Sequence, residues 1–171
     1  MNDTDVREDA LYQRLRELGI ESQTYRHAAV FTVEEASAVS DHLPGGHTKN
    51  LFLKDKKSGL WLVVVDAARR VDLNALAKAL GSPRFSFGSA EMMVTVLGVT
   101  PGSVTPFALM NDTSQRVCVV LDQEMLKQTP LNFHPLRNDR TTAIAAEDLL
   151  SFVRACGHEP IIAAIPQRAG D

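Results

Sequence analysis

At 171 residues and a formal net charge of -3, the chain is long enough for one domain with a sizeable core, and it lacks the basic surplus of a dedicated nonspecific nucleic-acid binder. A local basic patch on a mildly acidic protein still suffices to hold a polyanion, so RNA stays among the partners allowed. No apolar run is long enough to cross a bilayer, and the charged opening MNDTDVREDALYQRLRELG lacks the apolar centre of a signal peptide. Cys118 and Cys156 have no metal or redox spacing, and Cys118, inside VCVVL, reads as a small buried hydrophobe. The expectation is a reduced, cytoplasmic protein of a single domain with no membrane partner.

In chain order, Leu11, Leu15 and Leu18 recur at helical spacing, and Gly19 marks the stop. SQTYRH reads as a short strand. Thr32 with Glu35 three residues on matches a capping box, which opens a helix to about Val39. DHLPGGH is a loop. NLFLKD and LWLVVVD then form a hairpin around the polar turn KKSG, whose glycine suits a positive φ. Asp72 caps LNALAKAL, Gly81 ends it, and RFSF is a short strand. Ser89 caps the helix AEMMVTVL, which stops at Gly98. FALMN and RVCVVLD read as strands, with a helical piece near residues 123–127. LNFHPL and TTAIA read as strands, AEDLLSFVRAC as a closing helix before Gly157, and PQRAGD as a frayed tail. Hairpins mixed with irregularly alternating helices predict a mixed, mostly antiparallel, barrel-like α/β sheet flanked by helices.

The usual catalytic signatures are absent: there is no GxSxG elbow, Walker loop, HExxH or GxGxxG. His42 and His47 lie five apart in a loop without a third ligand, which favours solvated side chains over a metal site. LGVTPGSVTP, residues 97–106, carries two glycines and two prolines. It is first of all a tight helix-to-strand connection. Its second reading is a rigid turn whose N–H groups at Gly98, Thr100, Gly102 and Ser103 hold an anion or polarise a carbonyl. Lys49 opens an apolar strand in HTKNLFLKD and has two readings, a solvated charge or an ammonium aimed at a phosphate. His134, before a proline, is either a donor in a site or a half-buried histidine satisfied locally.

Taken together, HTKNLFLKD, FSFGSAEMM, LGVTPGSVTPFALMND, VVLDQEML, NFHPLRNDRTTAI and AEDLLSFVRACGHEP resemble the free-standing relatives of the prolyl-tRNA synthetase editing domain (the YbaK superfamily), and within it the ProXp-ala (PrdX) type. The resemblance runs from about residue 10 to residue 160. It implies a compact α/β editing domain with no metal or organic cofactor. The implied activity is hydrolysis of Ala-tRNA(Pro) to alanine and intact tRNA, with the charged acceptor end of tRNA(Pro) as partner and prolyl-tRNA synthetase as a second possible one.

The same resemblance assigns the site. Lys49 falls on the family's strand lysine. Gly98, Thr100, Pro101 and Gly102 fall on its GxxPG loop, with Ser103 beside them. His134 and Asn138 fall in its HPL-N segment, and Phe31, Thr32 and Asn50 are further binding residues. The mechanism implied needs no enzyme nucleophile: the terminal 2′-OH assists water, Lys49 anchors the phosphate or the ester, and amides of residues 98–103 polarise the carbonyl. Apolar walls are expected from Val30, Phe31, Leu51 or Phe133, and a tRNA-binding patch from Lys54, Lys56, Lys57, Arg69, Arg70, Lys78 and Arg84. The alternatives are a Cys-tRNA(Pro) deacylase of the YbaK type, a non-catalytic aminoacyl-tRNA-binding module, and an ordinary ester or amide hydrolase, which the missing nucleophile–base pair disfavours.

Overall fold

Ten residues of extended chain, β2 (Gly46–Asp55), form the axis of the molecule. In the computed structural model, residues 2–40 and 42–169 are described. Asp41 of the expected loop and the last two residues of the tail lie outside them. Strand β2 pairs antiparallel with β3 (Leu60–Asp66) as the expected hairpin. The turn works differently from its sequence reading: Ser58, not Gly59, takes the positive φ of 65°. Gly59 is needed for space, because a Cβ there would lie 2.4 Å from an Asp55 carboxylate oxygen. That carboxylate accepts the Lys57 and Gly59 amides and the Trp61 indole N–H, at 2.8, 2.9 and 3.0 Å. Its pKa is held below the usual value because these hydrogen bonds outweigh the cost of burial.

Strands β1 (Ser22–Arg26), β4 (Phe85–Phe87), β5 (Val117–Asp122), β6 (Leu131–Phe133), β7 (Arg140–Ile144) and β8 (Ile161–Ala163) complete one mixed sheet in the order β1-β7-β6-β2-β3-β5-β8, with β4 also on β2. Four strand pairings are antiparallel and three parallel.

Alternation along the central strands splits the core in two. Phe52, Leu62 and Val64 pack with Leu11, Leu15, Phe107, Phe133, Leu149 and Phe152, beneath α1 (Asp3–Glu17) and α5 (Ala146–Ala155). Phe107 makes edge-to-face contacts with Phe133 and Phe152, at centroid distances of 5.8 and 5.4 Å. Leu53, Val63 and Val65 pack on the other face with Leu76 and Ala77 of α3 (Leu73–Leu80), which Asp72 caps through the Ala75 amide. A strand buried on both faces must be apolar at every position, which explains the unbroken LWLVVV.

Four local expectations need correction. FALMN is a 3-10 helix (Pro106–Asn111), started by the fixed φ of Pro106 and the Thr105 hydroxyl, which accepts the Phe107 amide. The helix after Ser89 is one α turn, α4 (Ala90–Met92), that widens into a π-helix (Met93–Leu97) before Gly98. Cys118 is exposed, because its side chain leaves the sheet on the strand's solvent side. The tail is anchored as far as Arg168, through a Val71–Gln167 bridge and the Arg168 amide on the Arg70 carbonyl. Among the described residues no helix is long and apolar enough to cross a membrane.

Candidate functional site

The free edge of β2 creates the site. Strand β6 covers that edge at Gly46 and His47, and β4 covers it at residues 53–55. No strand pairs with residues 48–51 there, so extended backbone faces a cavity of about 270 Å³ in the middle of the sheet. Apolar walls come from Val30, Phe31, Val39, Met93, Val104 and Phe133, and polar groups from His27, Thr32, His47, Thr48, Asn50, Asn132, His134 and Thr141.

Among the described residues, four buried polar side-chain atoms lack a hydrogen-bond partner. Three of them, His47 Nδ1, Asn50 Oδ1 and Asn132 Oδ1, belong to residues that line this cavity. Asn132 spends its amide nitrogen on the Pro44 and Gly46 carbonyls, which fixes the loop leading into β2. Native structures satisfy nearly all buried polar groups, so three orphans around one cavity mark a place that awaits a polar ligand.

The sequence-derived candidates divide. Lys49, Asn50, Phe31, Thr32, Pro101, Gly102 and His134 all line the cavity. Thr32 caps α2 (Val33–Ser40) by accepting the Glu35 amide at 3.1 Å, and its hydroxyl donates back to the Glu35 carboxylate at 3.3 Å. Gly102 has φ 92°, and its amide makes no hydrogen bond to another described residue. Gly98, Thr100, Ser103 and Asn138 do not line the cavity. The Gly98 amide closes the π-helix onto the Val94 carbonyl, and the Ser103 amide closes the next turn onto Thr100. Both donors are therefore committed to backbone. Asn138 stands behind the wall: its side-chain amide donates to the Val30 carbonyl at 2.7 Å, while the Val30 amide donates to the Asn138 carbonyl. Leu51 lies on the opposite face of the sheet, with α3.

Lys49 sits where the strand edge is open, and its ammonium donates to the Arg69 carbonyl. Burial lowers its pKa, the Arg70 charge lowers it further, and Asp66 acts in the other direction. His134 meets its second sequence reading, a half-buried histidine satisfied locally, and it also lines the cavity. Nδ1 donates to the Arg140 carbonyl at 2.9 Å, so the neutral ring carries its lone pair on Nε2. Burial depresses its pKa more than that hydrogen bond raises it, which favours the neutral form. His27 lies 6.3 Å away, centroid to centroid, and holds the Thr141 hydroxyl through Nε2.

Of the expected basic patch, Lys54, Lys56, Lys57, Arg70, Lys78 and Arg84 are exposed. Arg69 is ion-paired with the fully buried Asp122 at 3.5 Å, which withdraws it from that surface. His47, expected to be a solvated loop side chain, is instead half-buried on β2 and lines the cavity, because the strand starts at Gly46. His27, Asn132 and Thr141 have no signal of their own in the sequence, because each is an isolated polar residue whose neighbours come from other strands. Among the described residues no group of three His, Cys, Asp or Glu side chains is placed to hold a metal ion, and His42 is exposed.

Comparison with known proteins places this geometry. Residues 27–152 match the aminoacyl-tRNA editing domain, and the chain belongs to that family. The chain is 45% identical over 158 residues to the prolyl-tRNA synthetase associated domain-containing protein 1 of Bos taurus, covering 90% of this chain and 92% of the relative. It is 34% identical over 157 residues to the prolyl-tRNA editing protein ProX of Acetoanaerobium sticklandii, covering 91% and 95%. A solved structure described as a candidate trans-editing enzyme for prolyl tRNA synthetase superposes with a TM-score of 0.70 at 17% identity, covering 98% of this chain and 99% of the other, and so shares its fold.

Proposed function

We propose that the protein is a trans-acting deacylase that hydrolyses Ala-tRNA(Pro) to alanine and tRNA(Pro). The observation that carries the reading is the cavity at the split edge of β2, with its three unpartnered buried polar atoms. The relatives named for prolyl-tRNA editing support the tRNA, and the cavity's size supports the acyl group. About 270 Å³ lies below the roughly 300–1,000 Å³ typical of drug-sized ligands, which suits a small aminoacyl ester. A tight pocket excludes the larger prolyl group by clash, where a loose one discriminates weakly.

Water attacks the ester carbonyl, the 3′-oxygen leaves as the ribose hydroxyl after taking a proton, and alanine is released. The adjacent 2′-OH of the substrate assists the water, and we assign to His134, a lining residue whose lone pair is on Nε2, the role of accepting a hydrogen bond from either. The Gly102 amide is a loop donor uncommitted to another described backbone group and belongs to a lining residue, so it is the one assigned to the developing oxyanion; removing one such donor typically costs on the order of 100-fold in rate. Lys49 exchanges the Arg69 carbonyl for the substrate's terminal phosphate or ester.

The test is Lys49→Ala assayed on tRNA(Pro) charged with alanine, cysteine and proline. The variant is expected to keep its circular dichroism spectrum and to lose at least about 100-fold of alanine release, an electrostatic contribution of the usual size. Near-normal hydrolysis by the variant removes Lys49 from the mechanism. Preference for the cysteinyl substrate moves the wild type to the YbaK-type activity, and binding without release makes it a carrier of aminoacyl-tRNA.

A further inference from the structure

A second concavity lies on the α3 side of β2 and shares Lys49 with the first. Its volume is about 610 Å³, and its lining includes Leu51, Arg70, Leu73, Phe87 and Arg168. Phe87 is 66% exposed, an unusual position for a large aromatic ring on an edge strand. Arg70 and Arg168 are held side by side, because the Arg168 amide donates to the Arg70 carbonyl at 2.8 Å. Leu51 and Leu73 give the groove apolar lining, and Asp72 keeps its carboxylate on the Ala75 amide.

An exposed ring beside clustered cations is the chemistry that holds single-stranded nucleic acid: bases stack on the ring and phosphates meet the cations. We infer that this groove seats an unpaired nucleotide of the RNA strand that leads into the first cavity, with its base on Phe87 and its phosphate against Arg70 and Arg168. The inference rests on the proposed activity, since it assigns the groove to the same substrate. Lys49 then stands at the junction between the stacked nucleotide and the terminal ester, which accounts for its place in both linings. The charge of the groove is local, set against the chain's net charge of -3, so long-range attraction alone does not explain it.

The experiment titrates a fluorescent, uncharged RNA hairpin ending in an unpaired CCA against the wild type, Phe87→Ala, Phe87→Trp and Arg168→Gln. In parallel it measures hydrolysis of the alanylated hairpin and of 3′-O-alanyl-adenosine, which lacks the preceding nucleotides. Phe87→Ala is expected to weaken hairpin binding by about five- to 100-fold, the range for loss of one stacked base, and Phe87→Trp to restore it. Arg168→Gln should flatten the salt dependence of binding by about 0.7 in the log–log slope, as for one single-strand phosphate. Hydrolysis of alanyl-adenosine should be unchanged in all three variants. Wild-type binding by Phe87→Ala overturns the inference, as does no hairpin binding by the wild type, displacement by an acidic peptide but not by oligonucleotide, or an equal loss on alanyl-adenosine. If the wild type hydrolyses neither ester, the proposed activity fails, and the hairpin titration still judges the groove.

Discussion

Replacing Asn138 by alanine tests whether the wall of the first cavity is held from behind. The Asn138 side-chain amide donates to the Val30 carbonyl at 2.7 Å, and Val30 is itself buried. A Cβ on Gly102 would lie 3.6 Å from the Asn138 amide nitrogen, 3.7 Å from that carbonyl and 3.8 Å from Phe31, so the residue joins three pieces of the site. Alanine leaves the carbonyl oxygen without its partner, at a cost of roughly 1–3 kcal/mol for a buried polar group. In a domain of this length, 1 kcal/mol moves the melting temperature by about 2–4 °C, so a fall of about 2–12 °C is expected. Aspartate at the same position sets a carboxylate against a carbonyl and should be worse than alanine. Deacylation should fall further than stability suggests, because displacing a wall by about 1 Å can cost on the order of 100-fold. Differential scanning calorimetry reads the first effect, and kcat/KM for Ala-tRNA(Pro) the second. Wild-type melting of both variants, or alanine worse than aspartate, would refute the clamp.

Three further expectations concern the same region. His134 has a folded pKa below its ordinary 6.5, so as pH falls through that value the unfolded chain takes up a proton that the folded chain refuses. Stability should therefore drop with pH from about 6.5 down to the folded pKa, and His134→Gln should flatten that part of a melting-temperature profile. Gly45 has φ 96°, and a Cβ there would sit 2.3 Å from the Pro130 carbonyl oxygen. Gly45→Ala should lower the melting temperature by more than the roughly 1–3 kcal/mol of backbone strain alone implies, and an unchanged melt would show that the entry to β2 yields easily. Val104→Ala widens a half-buried apolar wall and should raise hydrolysis of bulkier aminoacyl esters relative to alanine; an unaltered preference would count against exclusion by size.

Electrostatics behind the site join the same framework. Arg137 bonds Asp139 and Asp5 at 2.8 Å each, and Arg140 pairs with the buried Glu8. Helix α1 is thus tied to the loop that carries His134 and Asn138. The Arg137 hydrogen bonds hold both aspartates below their usual pKa, so the stability these ties contribute is present above the ordinary carboxylate value and is lost as pH falls from there through the lowered ones.

Much of this was legible in the chain because the physics is local. The N-cap at Asp72, the paired signals at Thr32 and Glu35, the stops at Gly19, Gly81, Gly98 and Gly157, and the hairpin all follow from contacts within a few residues. The order of several short motifs along the chain carries the family resemblance. Readings that depended on a distant partner came out differently. FALMN has the composition of a strand, yet Pro106 and the Thr105 hydroxyl commit it to a 3-10 turn packed in the aromatic core. Cys118 sits in an apolar run but points to solvent, because burial is decided by which face the sheet leaves uncovered.

By itself, the sequence determined most of the elements, several of their caps and the two-faced apolar strands, and it singled out Lys49 as a candidate. Tertiary structure alone decided that β6 and β4 share one edge of that strand and leave residues 48–51 open between them. That gap gathers His27, His47, Asn132 and Thr141 from strands and loops far apart in the chain. Local turns commit the Gly98 and Ser103 amides, whereas the fold brings Gly102 into the cavity lining. The physical reason is that a strand's hydrogen-bonding edge belongs to its neighbours, and no residue in the strand records which neighbour is missing.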